Sequence, residues 1–101
     1  MNEITIHDLL KLKDEVQIID IREKYEYDNG HIDSINIPMG QILESKQKIS
    51  KEKTVVIYCQ SGRRAAAVVY MLNNKYHFNN VYNLIGGYSA YKDVKQTQKI
   101  N

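Results

Sequence analysis

Cysteine occurs once in the chain, proline once, and tryptophan not at all. A lone cysteine excludes an internal disulfide and any multi-thiolate zinc site, and it fits a reducing, cytoplasmic compartment. Charge of one sign is also missing. Fourteen Lys and Arg stand against 12 Asp and Glu, a net charge of +2, too balanced to point to nucleic acid or a membrane surface as a partner. No apolar run approaches membrane-spanning length. Met1-Asn2-Glu3-Ile4 opens the chain without a basic region followed by apolar residues, so no signal peptide is expected. A Gly-x-Ser-x-Gly elbow, a Walker loop and a dinucleotide-binding glycine motif are all absent. His7 has no second histidine at a metal-binding spacing, and reads as a capping or surface residue. No metal and no cofactor are implied. The 101 residues suffice for one compact domain, 1–101, and not for two.

What is present centres on Thr54 to Leu72. Val55 to Tyr58 is a run of β-branched and aromatic residues that reads as a buried strand. Cys59-Gln60-Ser61-Gly62 is small and polar around the sulfur. From Arg63 the pattern turns helical, with Ala65, Val68, Val69, Leu72 and Tyr76 on one face. No charge falls between Arg64 and Lys75, so a well-buried helix is expected. The first N–H groups of a helix lack intrahelical partners, and the helix dipole adds partial positive charge there. A loop curled over that end aims further N–H groups inward, and Gly62 permits backbone angles that other residues resist. Cys59 sits where these groups converge, beside Arg63 and Arg64. The arrangement favours negative charge on sulfur and an anionic substrate next to it. As an alternative, Cys59 is only a small buried hydrophobe, which the polar and basic residues after it argue against.

The rest of the chain alternates short strands and helices. Ile4 to Ile6 reads as an opening strand, with a helix from His7 or Asp8 carrying Leu9, Leu10 and Leu12. Val16 to Ile21 is a second strand, apolar enough to be covered on both faces. Asp20 and Arg22 at its end are expected at the same sheet edge as Cys59, because open parallel sheets gather ligands beyond the carboxyl ends of their strands. They are either an ion pair bracing the loops or substrate-binding residues around the sulfur. Tyr25 to Gly30 reads as a short polar helix closed by an Asn-Gly turn. Ile35 to Ile37 is a third strand stopped by Pro38, and Gln41 to Ile49 an amphipathic helix with Ile42, Leu43 and Ile49 inward. Val81 to Leu84 is a last strand before Gly86-Gly87 and a C-terminal helix. The polar end from Gln96 is expected to fray. Strands alternating with helices indicate an α/β class.

Cys59-Gln60-Ser61-Gly62-Arg63-Arg64 resembles the active-site loop of the rhodanese family of sulfurtransferases. Two further stretches carry the same resemblance. One runs from Asp20-Ile21-Arg22 through Gly30-His31-Ile32 to Asn36-Ile37-Pro38. It departs from the family at Asp33 and Ser34, where Pro or small residues and Gly are usual, which leaves the turn there open. The other is Leu84-Ile85-Gly86-Gly87, ending at Tyr91 where the family often has Trp. Together they cover residues from about 16 to 91. The resemblance implies a rhodanese-like α/β fold, a mainly parallel five-stranded sheet with helices on both faces. It gives His31 a structural place in its loop.

The resemblance also implies a reaction. Cys59 would attack the outer sulfur of thiosulfate or a similar small anionic donor, become a persulfide, and pass the sulfur to cyanide or a thiol. Gln60, Ser61, Gly62, Arg63 and Arg64 would bind the donor, with Asp20 and Arg22 beside them and at least one loop arginine turned inward. With no second cysteine, the acceptor must come from outside, and a sulfur-relay protein is one such partner that the resemblance implies. Two alternatives differ in class. A sulfur-carrier or redox interaction module would load Cys59 without turning over. A phosphatase or arsenate reductase on the same fold would need a longer Cys-x5-Arg loop, whereas here four residues separate Cys59 from Arg64.

Overall fold

The computed structural model describes residues 2–100, with side-chain environments for 2–12 and 14–96. Five strands form one sheet: β1 (Glu3–Ile4), β2 (Val16–Asp20), β3 (Ile35–Asn36), β4 (Thr54–Tyr58) and β5 (Val81–Leu84), in the order β1-β5-β4-β2-β3. Every pairing is parallel. Parallel neighbours need a crossover between them. The helices α1 (Ile6–Leu12), α2 (Lys24–Asp28) and α3 (Arg63–Lys75) supply much of that connecting chain, and α4 (Gly87–Ile100) follows the last strand.

The two sheet faces have separate apolar layers. Alternate residues of β4 separate them: Val55 and Ile57 join Ile19, Ala65, Val68, Val69 and Leu72 beneath α3, while Val56 and Tyr58 join Ile6, Leu9, Leu84 and the inner side of α4. Side chains of a strand point alternately to opposite faces, so a centrally placed strand covered on both must be apolar throughout. The register sets Asp20 opposite Tyr58 and opposite Asn36. Asp20 therefore ends β2 level with the residue that precedes Cys59.

Several boundaries differ from the sequence reading. The opening strand stops at Ile4 and the helix begins at Ile6, because the Thr5 hydroxyl accepts the N–H of Asp8 at 3.1 Å and caps it. His7 is exposed and makes no cap. The segment read as one helix over 41–49 is two 3-10 stretches, Met39–Gln41 and Leu43–Lys48, kinked at Ser45. The tighter winding leaves Ile42 and Ile49 inside but turns Leu43 outward. In α3 only one face is buried: Tyr70 is 62 % exposed and Tyr76 lies past the last helical residue. The uncharged stretch there is polar-neutral Asn and Tyr on the outer side, so absence of charge overstated burial. The end expected to fray from Gln96 continues α4 through Ile100, and Asn101 lies outside the described residues.

Candidate functional site

Cys59 follows β4 directly, at the carboxyl end of the central strand, and is 1 % exposed. Its Sγ accepts the N–H of Gly62 at 3.1 Å and that of Ala65 at 3.4 Å. Those donors flank the first turn of α3, where helical N–H groups have no partner of their own. Gly62 precedes the helix with φ +102, a left-handed conformation that a side chain resists. The loop thus wraps over the sulfur, as the small residues between Cys59 and Arg63 allow.

A second chain segment closes the loop from outside. The N–H of Tyr88 donates to the Cys59 carbonyl at 2.8 Å, and that of Ser89 to the Gln60 carbonyl at 3.1 Å. Gly87 has φ +57, and a Cβ there would stand only 2.8 Å from the Gln60 carbonyl oxygen and nearer still to that of Cys59. Gly87 therefore lets backbone pass against the loop, as the sequence reading expects of the glycine pair, whereas a Cβ on Gly86 would meet Ala90 of α4. The Gln60 side-chain amide adds a bond to the Ser89 hydroxyl at 3.1 Å.

Asp20 and Arg22 are both buried, 0 % and 2 % exposed. Nε and Nη2 of Arg22 reach the Asp20 carboxylate at 2.8–3.1 Å. Nη2 also donates to the Gly30 carbonyl at 2.8 Å, and Nη1 to the Gln60 side-chain oxygen at 3.2 Å. The guanidinium lies over the Tyr88 ring, 4.4 Å from its centroid, with Tyr58 at 5.6 Å. Burial opposes the Arg22 charge, but the hydrogen bonds and charge of Asp20 outweigh it and hold the guanidinium above its ordinary value. Burial also pushes the Tyr58 phenol up. Its hydroxyl accepts the N–H of Ile32 at 3.1 Å. Arg22 thus ties β2, α2's loop and the Cys59 loop together, and Asp20 and Arg22 stand at the same sheet edge as the sulfur.

The two loop arginines divide. Arg63 is exposed and forms no ion pair among the described residues. Arg64 is bound end-on by Glu26 of α2, Nη1 to Oε1 and Nη2 to Oε2, both at 3.1 Å. The Glu26 bond raises the Arg64 guanidinium further, with smaller contributions from Cys59 and Asp20. In return Arg64 holds the Glu26 carboxyl below its ordinary value. Glu26 also accepts the N–H of Glu23 at 3.0 Å, half of a capping box that starts α2. Ser61 is exposed at the crest of the loop. His31 stacks on Tyr27 at 3.7 Å, and its Nδ1 lies 2.7 Å from the Tyr27 carbonyl, which fixes its loop.

Beside the loop, between α2 and α4, lies a groove of about 320 Å³ lined by Arg22, Tyr25, Glu26, Gln60, Tyr88 and Lys92, among others. Sequence reasoning missed Glu26, Tyr88 and Ser89 as parts of this edge. Glu26 lies 38 residues from Arg64, and only the shared sheet edge of the Asp20 and Cys59 strands hinted that α2 would reach the loop. Tyr88 and Ser89 act largely through backbone N–H groups, which residue type does not reveal. Among the described residues no group of three or more His, Cys, Asp and Glu side chains could hold a metal ion, and no helix is long and apolar enough to cross a membrane.

Comparison with known proteins places the chain. Residues 5–94 match the rhodanese-like domain family. The chain is 34% identical over 95 residues to a thiosulfate sulfurtransferase, GlpE, of Coxiella burnetii, covering 93% of this chain and 87% of that one. Its fold superposes with TM-score 0.86 on a rhodanese-related protein from Thermoplasma volcanium, 27% identical, with 93% of each chain covered. A rhodanese-like domain protein from Staphylococcus aureus gives TM-score 0.82 at 32% identity, covering 90% of this chain and 91% of that one. The family match over most of the chain, the all-parallel sheet and the sulfur under the first turn of α3 lead to one assignment: the chain belongs to the rhodanese-like family.

Proposed function

We propose that the protein is a cytoplasmic sulfurtransferase acting as one rhodanese-like domain over residues 1–101. Cys59 takes the outer sulfur of thiosulfate or a similar donor as a persulfide and yields it to a thiol or cyanide. The observation that carries this reading is the Cys59 Sγ held by the N–H groups of Gly62 and Ala65 at the start of α3. Those donors are fixed in place before any reaction, so charge developing on sulfur meets them without reorganisation. The step balances: the Cys59 thiolate bonds to the outer sulfur of thiosulfate, the donor S–S bond breaks, and sulfite leaves with the electron pair. Cys59 is left as a persulfide anion.

In this reading Gln60, Ser61 and Gly62 shape the anion site, Arg63 faces the incoming donor from the loop, and Arg64 adds charge behind it. Asp20 and Arg22 position the loop through Gln60. The four residues between Cys59 and Arg64 keep the cradle small, which argues against a phosphate ester as substrate.

The test is sulfur loading. After incubation with thiosulfate, mass spectrometry is expected to find one added sulfur on Cys59, removed by cyanide with release of thiocyanate. Cys59→Ser is expected to lose both loading and turnover, because a serine hydroxyl is neither ionised nor thiophilic at neutral pH. Unmodified Cys59 after exposure to sulfur donors, or hydrolysis of an aryl phosphate that depends on Cys59, would overturn the reading.

A further inference from the structure

At the other end of the sheet, by the amino ends of β4 and β5, a cavity of about 680 Å³ opens among Lys46, Lys51, Tyr76, His77, Phe78 and Asn79. The groove beside the Cys59 loop has about 320 Å³, and the length of β4 separates the larger cavity from the sulfur. Its walls are held by side chains of neighbouring elements. Gln17 of β2 donates to the Lys48 carbonyl and accepts the N–H of Ser50, both at 2.8 Å. The Asn80 amide donates to the Ser50 and Lys53 carbonyls at 2.8 and 2.7 Å. The Ser50 hydroxyl accepts the N–H groups of Glu52 and Lys53, which sets the turn that carries Lys51. Phe78 is buried and gives the cavity an apolar wall.

The charged groups at this cavity are of one sign. Lys46, Lys51 and His77 line it, and no carboxylate does. None of the three enters an ion pair among the described residues. The Lys46 ammonium rests over the Tyr76 ring, 3.9 Å from its centroid. His77 carries a second, independent signal. It follows Tyr76, the C-cap of α3, with φ +60, and no other residue but glycine has a positive φ among the described residues. Helices that end this way usually take Gly there, because a Cβ is strained in the left-handed region. Histidine keeps the strain and sets an imidazole at the cavity. A strained residue at a preformed cavity points to a function for the side chain.

We infer that this cavity binds a nucleoside phosphate, at a site separate from the sulfur chemistry. Two ammonium groups and an imidazole meet the phosphate oxygens, which charge-assisted hydrogen bonds hold best. Tyr76 offers an aromatic surface to the base. The side-chain amides of Gln47 and Asn79 also line the cavity. Each has a donor and an acceptor to match against the polar edge of a base. An inorganic anion alone would use the charges and leave the ring, the amides and most of the volume idle.

The experiment is calorimetric titration of the full chain with ADP, adenosine and pyrophosphate. ADP is expected to bind more tightly than either fragment, because it alone engages the charged and the aromatic groups together. Exposed Lys51 supplies a variant with little risk to folding. Lys51→Ala should weaken ADP about tenfold, the low end of what a charge-assisted hydrogen bond contributes, and added salt should weaken ADP in the wild type. His77→Gly separates function from structure. It should bind ADP more weakly and yet unfold at a higher temperature, because glycine relieves the left-handed strain. A histidine that serves only to complement the end of α3 would do the reverse, lowering the unfolding temperature and leaving ADP affinity unchanged. That result would overturn the inference. So would no binding of ADP, or equal affinity for ADP and pyrophosphate, which marks a simple anion patch. A glutamate-rich peptide that binds more tightly than ADP would overturn it too, in favour of an acidic protein segment. Loading of Cys59 by thiosulfate is expected to be unchanged in both variants, so this site and the sulfurtransferase reading stand or fall separately.

Discussion

Two arginine–carboxylate pairs stand at one sheet edge, Asp20–Arg22 and Glu26–Arg64, and they are built for different work. In the first, both partners are buried and the guanidinium is used on all sides, by Asp20, the Gly30 carbonyl, Gln60 and the Tyr88 face. In the second, Arg64 remains 38% exposed and a single carboxylate is its partner. A buried pair cannot lose one member cheaply, because the other charge is stranded away from water. A half-exposed pair can exchange its partner, since water compensates either ion. The first pair is therefore a brace for the Cys59 loop, and the second a partly solvated ion pair that joins α2 to the start of α3.

The comparison breaks most sharply at Arg22. Arg22→Ala strands the Asp20 carboxylate and is expected to cost about 3–5 kcal/mol, the usual penalty for breaking a buried pair. Urea unfolding measures it, and a loss below about 1 kcal/mol would mean that the brace is not one. Arg64→Ala should behave in the opposite way. Its stability cost is expected to be about 1 kcal/mol or less, as for exposed pairs. Its efficiency with thiosulfate should fall roughly tenfold, because the Glu26 carboxylate is left unneutralised near an anionic donor. Lysine at position 64 should restore only part of it, lacking the planar fork. Unchanged thiosulfate kinetics in Arg64→Ala would remove that residue from the site.

The smallest effect is an acid one. Because Arg64 lowers the Glu26 carboxyl in the folded protein, the stabilisation from this pair is complete above the ordinary glutamate value of 4.5. It is lost as the pH falls through the lower folded value. Glu26→Gln should flatten that limb of the stability–pH curve and leave the curve near neutrality almost level. An identical acid limb in both proteins would show that the pair contributes nothing.

Much of this edge was legible in the chain itself. Val55 to Tyr58 is apolar at every position because both faces of β4 are covered, and that continuous run marks a central strand. Gly62 ahead of a helical period identified the loop, since the turn it makes requires a left-handed backbone. The segment from 39 to 48 was less legible. Its apolar residues fit a helical period, but choosing between α and 3-10 winding depended on packing beyond that window, and Leu43 changed side with it.

The order of residues by itself determined the class of fold, the central strand, the place of Cys59 and the glycines that make the loop possible, because each rests on local pattern or on backbone angles that one residue type accepts. Which arginine is answered, and by what, was decided only in three dimensions. Arg63 and Arg64 are neighbours of the same type, and no local rule separates them. A helix turns by about 100° per residue, set by its 3.6-residue repeat, so consecutive side chains leave it in different directions, and α2 happens to stand where Arg64 emerges. Likewise, the N–H groups that close the loop belong to Tyr88 and Ser89. Any residue but proline carries such a donor, so only the parallel sheet, by bringing β5 beside β4, could reveal which ones reach Cys59 and Gln60.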